Sequence, residues 1–262
     1  MTQKLDVGKV FSRIFELYTS QASLYLPAAL LLFIPAAIIN GLIRSGSSGF
    51  FVSIAVGIIN LAFVFVYEGL IVQSVRDLQD GRRDLSMGQL FSSVTPVLGQ
   101  LIVVGIVAAI AIDIGFIFIL VPGIILMTIW AVFAPVIVVE RRGFDALGRS
   151  YELVRGNFWP VLGVIVVMIV LQIVVSIVLA GIAIGISDSF VVIAIFLLIG
   201  SVLIAPLDGL ARAVMYFELL GLGRQPAAAA GPPGATGAAP PPAPPAPSAP
   251  PPPPPEQQPP PG

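Results

Sequence analysis

The sequence predicts an all-α fold, a polytopic membrane helix bundle with six transmembrane helices and amphipathic interfacial helices on the cytoplasmic side. Three observations predict it. Of 262 residues, 57% are hydrophobic and 10% charged, and the mean hydropathy is +1.00, which leaves too little polar surface for a soluble globule. Six segments supply the ~20 apolar residues, at ~1.5 Å each, that a helix needs to cross a ~30 Å hydrocarbon core. Threading them in order leaves twelve of the thirteen Lys and Arg residues on one side, with Arg44 alone on the other. A basic side of that kind faces the cytoplasm.

The chain divides into a six-span membrane domain, 1–222, and a tail, 223–262. Near 5–20, Val7, Val10, Phe11, Ile14 and Tyr18 recur at helical spacing while Lys9, Arg13 and Glu16 face away, the pattern of an interfacial helix. This start has no basic cap, apolar core and small-residue cleavage site, so a removable signal peptide is not expected. Spans follow at Ser23–Ile43 and Phe50–Val72. Met87, Leu90, Phe91 and Val94 repeat the amphipathic pattern near 84–95. The apolar run from Val97 to Val139 is too long for one crossing, and Val121-Pro122-Gly123 is the expected turn, giving spans Val97–Leu120 and Gly123–Val139.

A third interfacial helix is expected near 143–158. Phe144, Leu147, Tyr151, Val154 and Phe158 make its apolar face, with Asp145, Arg149 and Glu152 opposite at pair-forming intervals. The last spans are Val161–Ile182 and Phe190–Val214. Gly8 and Phe11, Gly88 and Phe91, Gly148 and Tyr151 share one spacing, which suggests three copies of a unit: an interfacial helix and then two spans. An even number of crossings puts both termini in the cytoplasm of a bacterium, with the bundle in its inner membrane. From Pro226 to Gly262, 18 of 37 residues are proline, so this stretch is expected to be a disordered, extended tail. It is either a solvated end or a docking segment for a protein partner.

Composition excludes several chemistries. With no Cys and no His, there is no thiolate nucleophile, no Cys-ligated zinc and no imidazole base. A net charge of -1 argues against a nucleic-acid partner, which demands a concentrated basic surface. No cofactor or metal site is expected. Nothing in the sequence specifies an oligomeric state.

An ionisable group at the bilayer centre costs about 2.5–3.5 kcal/mol on insertion scales, which makes each one a functional candidate. Asp113 lies sixteen residues beyond Val97, or ~24 Å into the bilayer. Thr128 and Ser176 reach similar depth, and Asn60 and Gln172 fall near the middle. If these converge, they line a wet cavity in the outer half with Asp113 as a proton or cation site. The alternatives are a protonated Asp113 bonded between helices, or one lying near the outer interface. Closer to the inner face, Asp208 and Arg212 are four apart and expected to pair, with Glu68 as a third member of an ion network. Glu140 marks the end of the fourth span. Arg141, Arg142, Arg149 and Arg155 are candidate contacts to lipid headgroups. Gly181 and Gly185, four apart, suit close helix packing, and Pro27, Pro35 and Pro135 are expected to loosen or kink their spans.

The stretch from Pro122-Gly123 through Trp130, Phe133-Ala134-Pro135 and Glu140 to the run Ala146–Trp159 resembles the membrane-domain family often fused to glycerophosphodiester phosphodiesterases, and related uncharacterised bacterial six-span proteins. Asp80-Gly81-Arg82 with Ser86, and Pro206 through Tyr216-Phe217-Glu218-Leu219, are similar to its other landmarks. The resemblance covers about Leu5 to Leu222. It implies a membrane module concerned with lipid or envelope physiology. No domain with the phosphodiesterase's Glu, Asp and His chemistry follows the last span, so that hydrolase activity is not expected and no catalytic residue carries over.

Two functions follow as expectations. The first is a non-enzymatic membrane scaffold or accessory protein contacting anionic lipid. The other is a small-solute or ion transporter, or channel subunit, that uses an intramembrane carboxylate.

Overall fold

The structure, a computed structural model, describes residues 4–44, 49–81, 86–118, 120–187 and 189–229, with the side chains of 42–44 and 223–229 left aside. The side chains of Arg44 and Arg224, the basic pair Arg82 and Arg83, and tail residues 230–262 therefore lie outside the described residues. Those residues form helices and no strand. In chain order these are α1 (Val7–Arg44), α2 (Phe50–Gln79), α3 (Met87–Phe118), α4 (Leu120–Ile129), α5 (Phe133–Glu140), α6 (Asp145–Val154), α7 (Phe158–Ile186) and α8 (Phe190–Ala229), with a 3-10 turn at Arg155–Asn157. The last helix runs beyond residue 222, where the tail was expected to begin.

Six helical stretches are long and apolar enough to cross a membrane, the fourth being α4 and α5 together. Their outward surface is apolar to an extent that only lipid tolerates: Phe51 is 83% exposed and Ile117 81%. Along α7, Ile173, Val174, Ile177 and Val178 are exposed in the same way. The chain is a multi-pass membrane protein with an all-α bundle.

The expected interfacial segments are joined to their spans in three ways. In α1 the backbone leaves helical geometry at Gln21 (φ -121, ψ 17), between the amphipathic start and the apolar body. In α3 the helix continues unbroken through Pro96. Only the third segment stands apart, as α6. Proline placement explains where other helices begin. Pro122, Pro135 and Pro160 each occupy the third position of α4, α5 and α7, where an N–H would have no partner inside the helix. Pro122 therefore opens α4 instead of sitting in a turn, and α3 already ends at Phe118.

Packing is tightest where glycines let helices touch. A Cβ on Gly105 would come within 2.2–2.6 Å of the Phe65 ring, and one on Gly115 would meet the Gly123 backbone at 3.0 Å, so α3 fits closely against both α2 and α4. Gly181 and Gly185 have nothing within 4 Å; they face outward, because helical spacing fixes which residues share a face but not which face finds a neighbour. α1 and α7 lie against α8, α2 lies between α3 and α8, and α5 is enclosed. Every residue from Phe133 to Val138 is buried.

Candidate functional site

The centre of the bundle holds a cavity of about 510 Å³ between α1, α2, α7 and α8. Polar groups reach it from three helices: Asn60 and Glu68 from α2, Gln172 and Ser176 from α7, and Ser201, Asp208 and Arg212 from α8. Phe33 and Tyr67 supply an aromatic wall, with ring centroids 5.4 Å apart. Gln172 and Ser176 are exposed, so the cavity is open. A second space of about 170 Å³ shares Gln172, Asp208 and Arg212 with it on the α3–α4 side.

Two of the wall residues, Tyr67 and Asn60, are held from behind. Tyr67 donates its hydroxyl to the Tyr25 carbonyl at 3.1 Å, and the Tyr25 hydroxyl shares a hydrogen bond with Ser74 at 3.2 Å. Asn60 exchanges amide hydrogen bonds with Asn40, at 2.9 and 3.3 Å, and also donates to the Val56 carbonyl. That pair joins α1 to α2 beside the cavity. In a medium without water, such side-chain bonds satisfy polar groups that would otherwise be left unpaired.

The charges are arranged differently from the expected Asp208–Arg212 pairing. Arg212 Nε lies 3.5 Å from Glu68 Oε1, while Asp208 has no ion pair within 4 Å among the described residues. Spacing on one helix placed Asp208 and Arg212 as neighbours, but the Glu68 carboxylate crosses from α2 and captures the guanidinium. The Glu68 side chain is 6% exposed and its Oε1 makes no hydrogen bond, since 3.5 Å is beyond effective hydrogen-bond geometry here.

The expected outer-half constellation separates. Asn60, Gln172 and Ser176 line the cavity, but their charged companions are Glu68, Asp208 and Arg212. Asp113 is exposed on α3 and lines neither cavity. Thr128 is buried, and its hydroxyl donates to the Ile124 carbonyl of its own helix at 2.7 Å. The rise along a helix gave Asp113, Thr128 and Ser176 similar heights, whereas packing turned them toward different surroundings.

At the end of the bundle where α5 stops, Glu140 gathers the basic residues. Its Oε1 accepts from Arg149 Nε at 3.3 Å and from the Tyr216 hydroxyl at 3.1 Å, and its Oε2 pairs with Arg142 at 2.9 Å. Arg141 adopts φ 55, ψ 36 and donates its N–H to the Ile137 carbonyl, a left-handed helix cap. Arg149 also reaches Glu152 at 3.2 Å. Two of the four proposed headgroup contacts, Arg142 and Arg149, are thus engaged with Glu140, while Arg141 and Arg155 are exposed. The buried face of α6 is Ala146, Ser150 and Val154, with Phe144 and Tyr151 turned outward. Small residues win the inner position because α6 lies directly against the gap between α4 and α5.

Ser150 repairs that gap. Ala131 N–H bonds the Thr128 carbonyl in a tightened turn and Phe133 N–H bonds the Trp130 carbonyl, which leaves the Ile129 carbonyl and Val132 N–H outside the helical ladder. The Ser150 hydroxyl donates to the first at 2.8 Å and accepts from the second at 3.3 Å. Ser150→Ala is expected to lower stability by about 1–3 kcal/mol, the cost of buried polar groups left unmet. A thermal midpoint in detergent equal to that of the unchanged protein would show that the break is satisfied by other means. Neither Ser150 nor Tyr216 was identifiable from sequence as a partner here, since the contacts link segments far apart in the chain.

The chain matches no protein-family model, no curated protein and no solved structure.

Proposed function

We propose that the chain is a solute-binding membrane protein of the carrier or channel-subunit type, and that its ligand occupies the cavity between α1, α2, α7 and α8. The observation that carries this reading is the pairing of a buried Glu68 with a part-exposed Arg212, beside Asp208, on the wall of a 510 Å³ space. Charged groups are expensive at this depth and are retained where they serve a ligand or ion path. Glu68 lies eleven residues before the end of α2, or about 16 Å inside it. The carboxylate invoked for transport is therefore Glu68 with Asp208, and no longer Asp113. In the proposed orientation the end bearing Glu140 and α6 faces the cytoplasm of a bacterial inner membrane, as the basic bias suggests, and the activity is non-enzymatic.

The test is to fill the cavity. Ser176→Phe is expected to abolish both solute-dependent thermal stabilisation of the purified protein and flux into reconstituted vesicles, across a panel of cationic, neutral and anionic small solutes. A panel giving identical shifts in wild type and variant would overturn the reading.

The scaffold reading retains one specific support. Phe144, Tyr151 and Trp159 are all exposed near Arg155, a combination that suits a headgroup interface. The resemblance of the sequence to the membrane-domain family of glycerophosphodiester phosphodiesterases accords with either function and adds no functional residue. The proline-rich tail is proposed as a protein-docking segment.

A further inference from the structure

We propose that the cavity selects an organic monocation, an ammonium group on an apolar body, with the nitrogen seated at Glu68 and Asp208. This rests on the cavity-binding reading above and names its ligand class. Counting formal charge, two carboxylates face one guanidinium, so the wall carries an excess of one negative charge that a single cation neutralises. An anion would meet the opposite situation, since Arg212 is already drawn to Glu68 at 3.5 Å.

A second, independent observation points to a donor. Glu68 Oε1 is buried and accepts no hydrogen bond, although buried acceptors are almost always satisfied. An ammonium N–H offers the missing hydrogen, together with a charge to balance the second carboxylate, Asp208. A neutral alcohol offers only the hydrogen. A divalent metal is poorly served, because no cluster of three His, Cys, Asp or Glu side chains gathers among the described residues.

The rest of the wall suits an organic body. Phe33 and Tyr67 face the same space with their rings at 5.4 Å, and aromatic faces attract cations electrostatically. Val64, Leu179, Leu197 and Ile204 extend the apolar lining. Gln172 and Ser176 are exposed on α7, which leaves the cavity open along that helix.

The test uses three probes of one shape, hexylammonium, hexanol and hexanoate, titrated calorimetrically against the full-length protein in nonionic micelles. Hexylammonium is expected to bind saturably and at least tenfold more tightly than the other two. Glu68→Gln and Asp208→Asn are each expected to weaken it about tenfold or more, the loss of one charged hydrogen bond, and Phe33→Leu about threefold. The Phe33 variant keeps the test informative if a charge variant fails to fold. Equal or tighter binding of hexanol or hexanoate, blocked by Ser176→Phe, would overturn the cation preference while leaving the cavity as a binding site. Saturable binding of none of the three, with Ser176→Phe also silent toward the wider panel, would remove both readings. Adding an ethanolamine-headed lipid identifies the source of the ammonium: competition with hexylammonium supports an aminated lipid, and its absence, with hexylammonium still bound, supports a free amine.

Discussion

Arg212→Met is expected to destabilise the bundle by about 2–4 kcal/mol, less than the full cost of stranding a charge in a wholly buried ion pair because the Arg212 side chain is 38% exposed. Arg212 is the cation that lies within 4 Å of Glu68, and the Glu68 side chain is 6% exposed. Its removal leaves that carboxylate and Asp208 on the cavity wall without the cation that lies beside them. Unfolding midpoints in mixed detergent, compared among the wild type, Arg212→Met and the Glu68→Gln, Arg212→Met double variant, separate the pair from generic loss of packing. The double variant is expected to recover most of the stability, because it no longer strands a charge. As a contrast, Arg13 and Glu16 pair at 2.8 Å on an exposed surface, and Arg13→Met is expected to cost less than about 1 kcal/mol. If Arg212→Met unfolded at the wild-type midpoint, the cavity would have to solvate Glu68 as well as bulk water does.

Glu140→Ala is the second large effect, expected at about 2–4 kcal/mol. One carboxylate there holds Arg142 from the adjoining loop, Arg149 from α6 and Tyr216 from α8. Charged hydrogen bonds contribute ~1.5–3 kcal/mol each, but Arg142 is half exposed and Arg149 keeps Glu152, so the sum is discounted. Glu140→Gln retains an acceptor and is expected to lose about half as much. Protease sensitivity of the α5–α6 connection would rise in step with the lost midpoint. An unchanged cleavage rate together with an unchanged midpoint would show that Glu140 only decorates the surface.

Much of the architecture was legible because hydropathy reports the environment of a whole segment. Six apolar stretches gave six spans, and the change of pattern after Tyr18 marked the place where α1 departs from helical geometry at Gln21. Position along each helix was legible too, since a fixed rise converts residue number to distance. Direction around the helix axis was not. Asp113, Thr128 and Ser176 were grouped by height, yet Asp113 points away and Thr128 bonds its own helix, while Ser176 shares a cavity with Glu68. The choice is made by close fits such as Gly105 against Phe65, which no local pattern encodes. The same reason hid the Glu68–Arg212 pair: the helix interval favoured Asp208, and only packing α2 on α8 brings Glu68 closer.

The ends of the chain have a consequence for biogenesis. Lys9 pairs with Glu218 at 3.1 Å across 209 positions, Leu5 N–H bonds Asn157 Oδ1, and α1 lies along α8. A ribosome working at ~5–20 residues per second needs roughly 10–40 s to translate that interval. Throughout that wait the earliest span resides in the bilayer without the helix it will finally rest against. Insertion and ring closure are thus separate events, and an interrupted nascent chain exposes its initial amphipathic stretch to whatever quality-control machinery patrols the membrane surface.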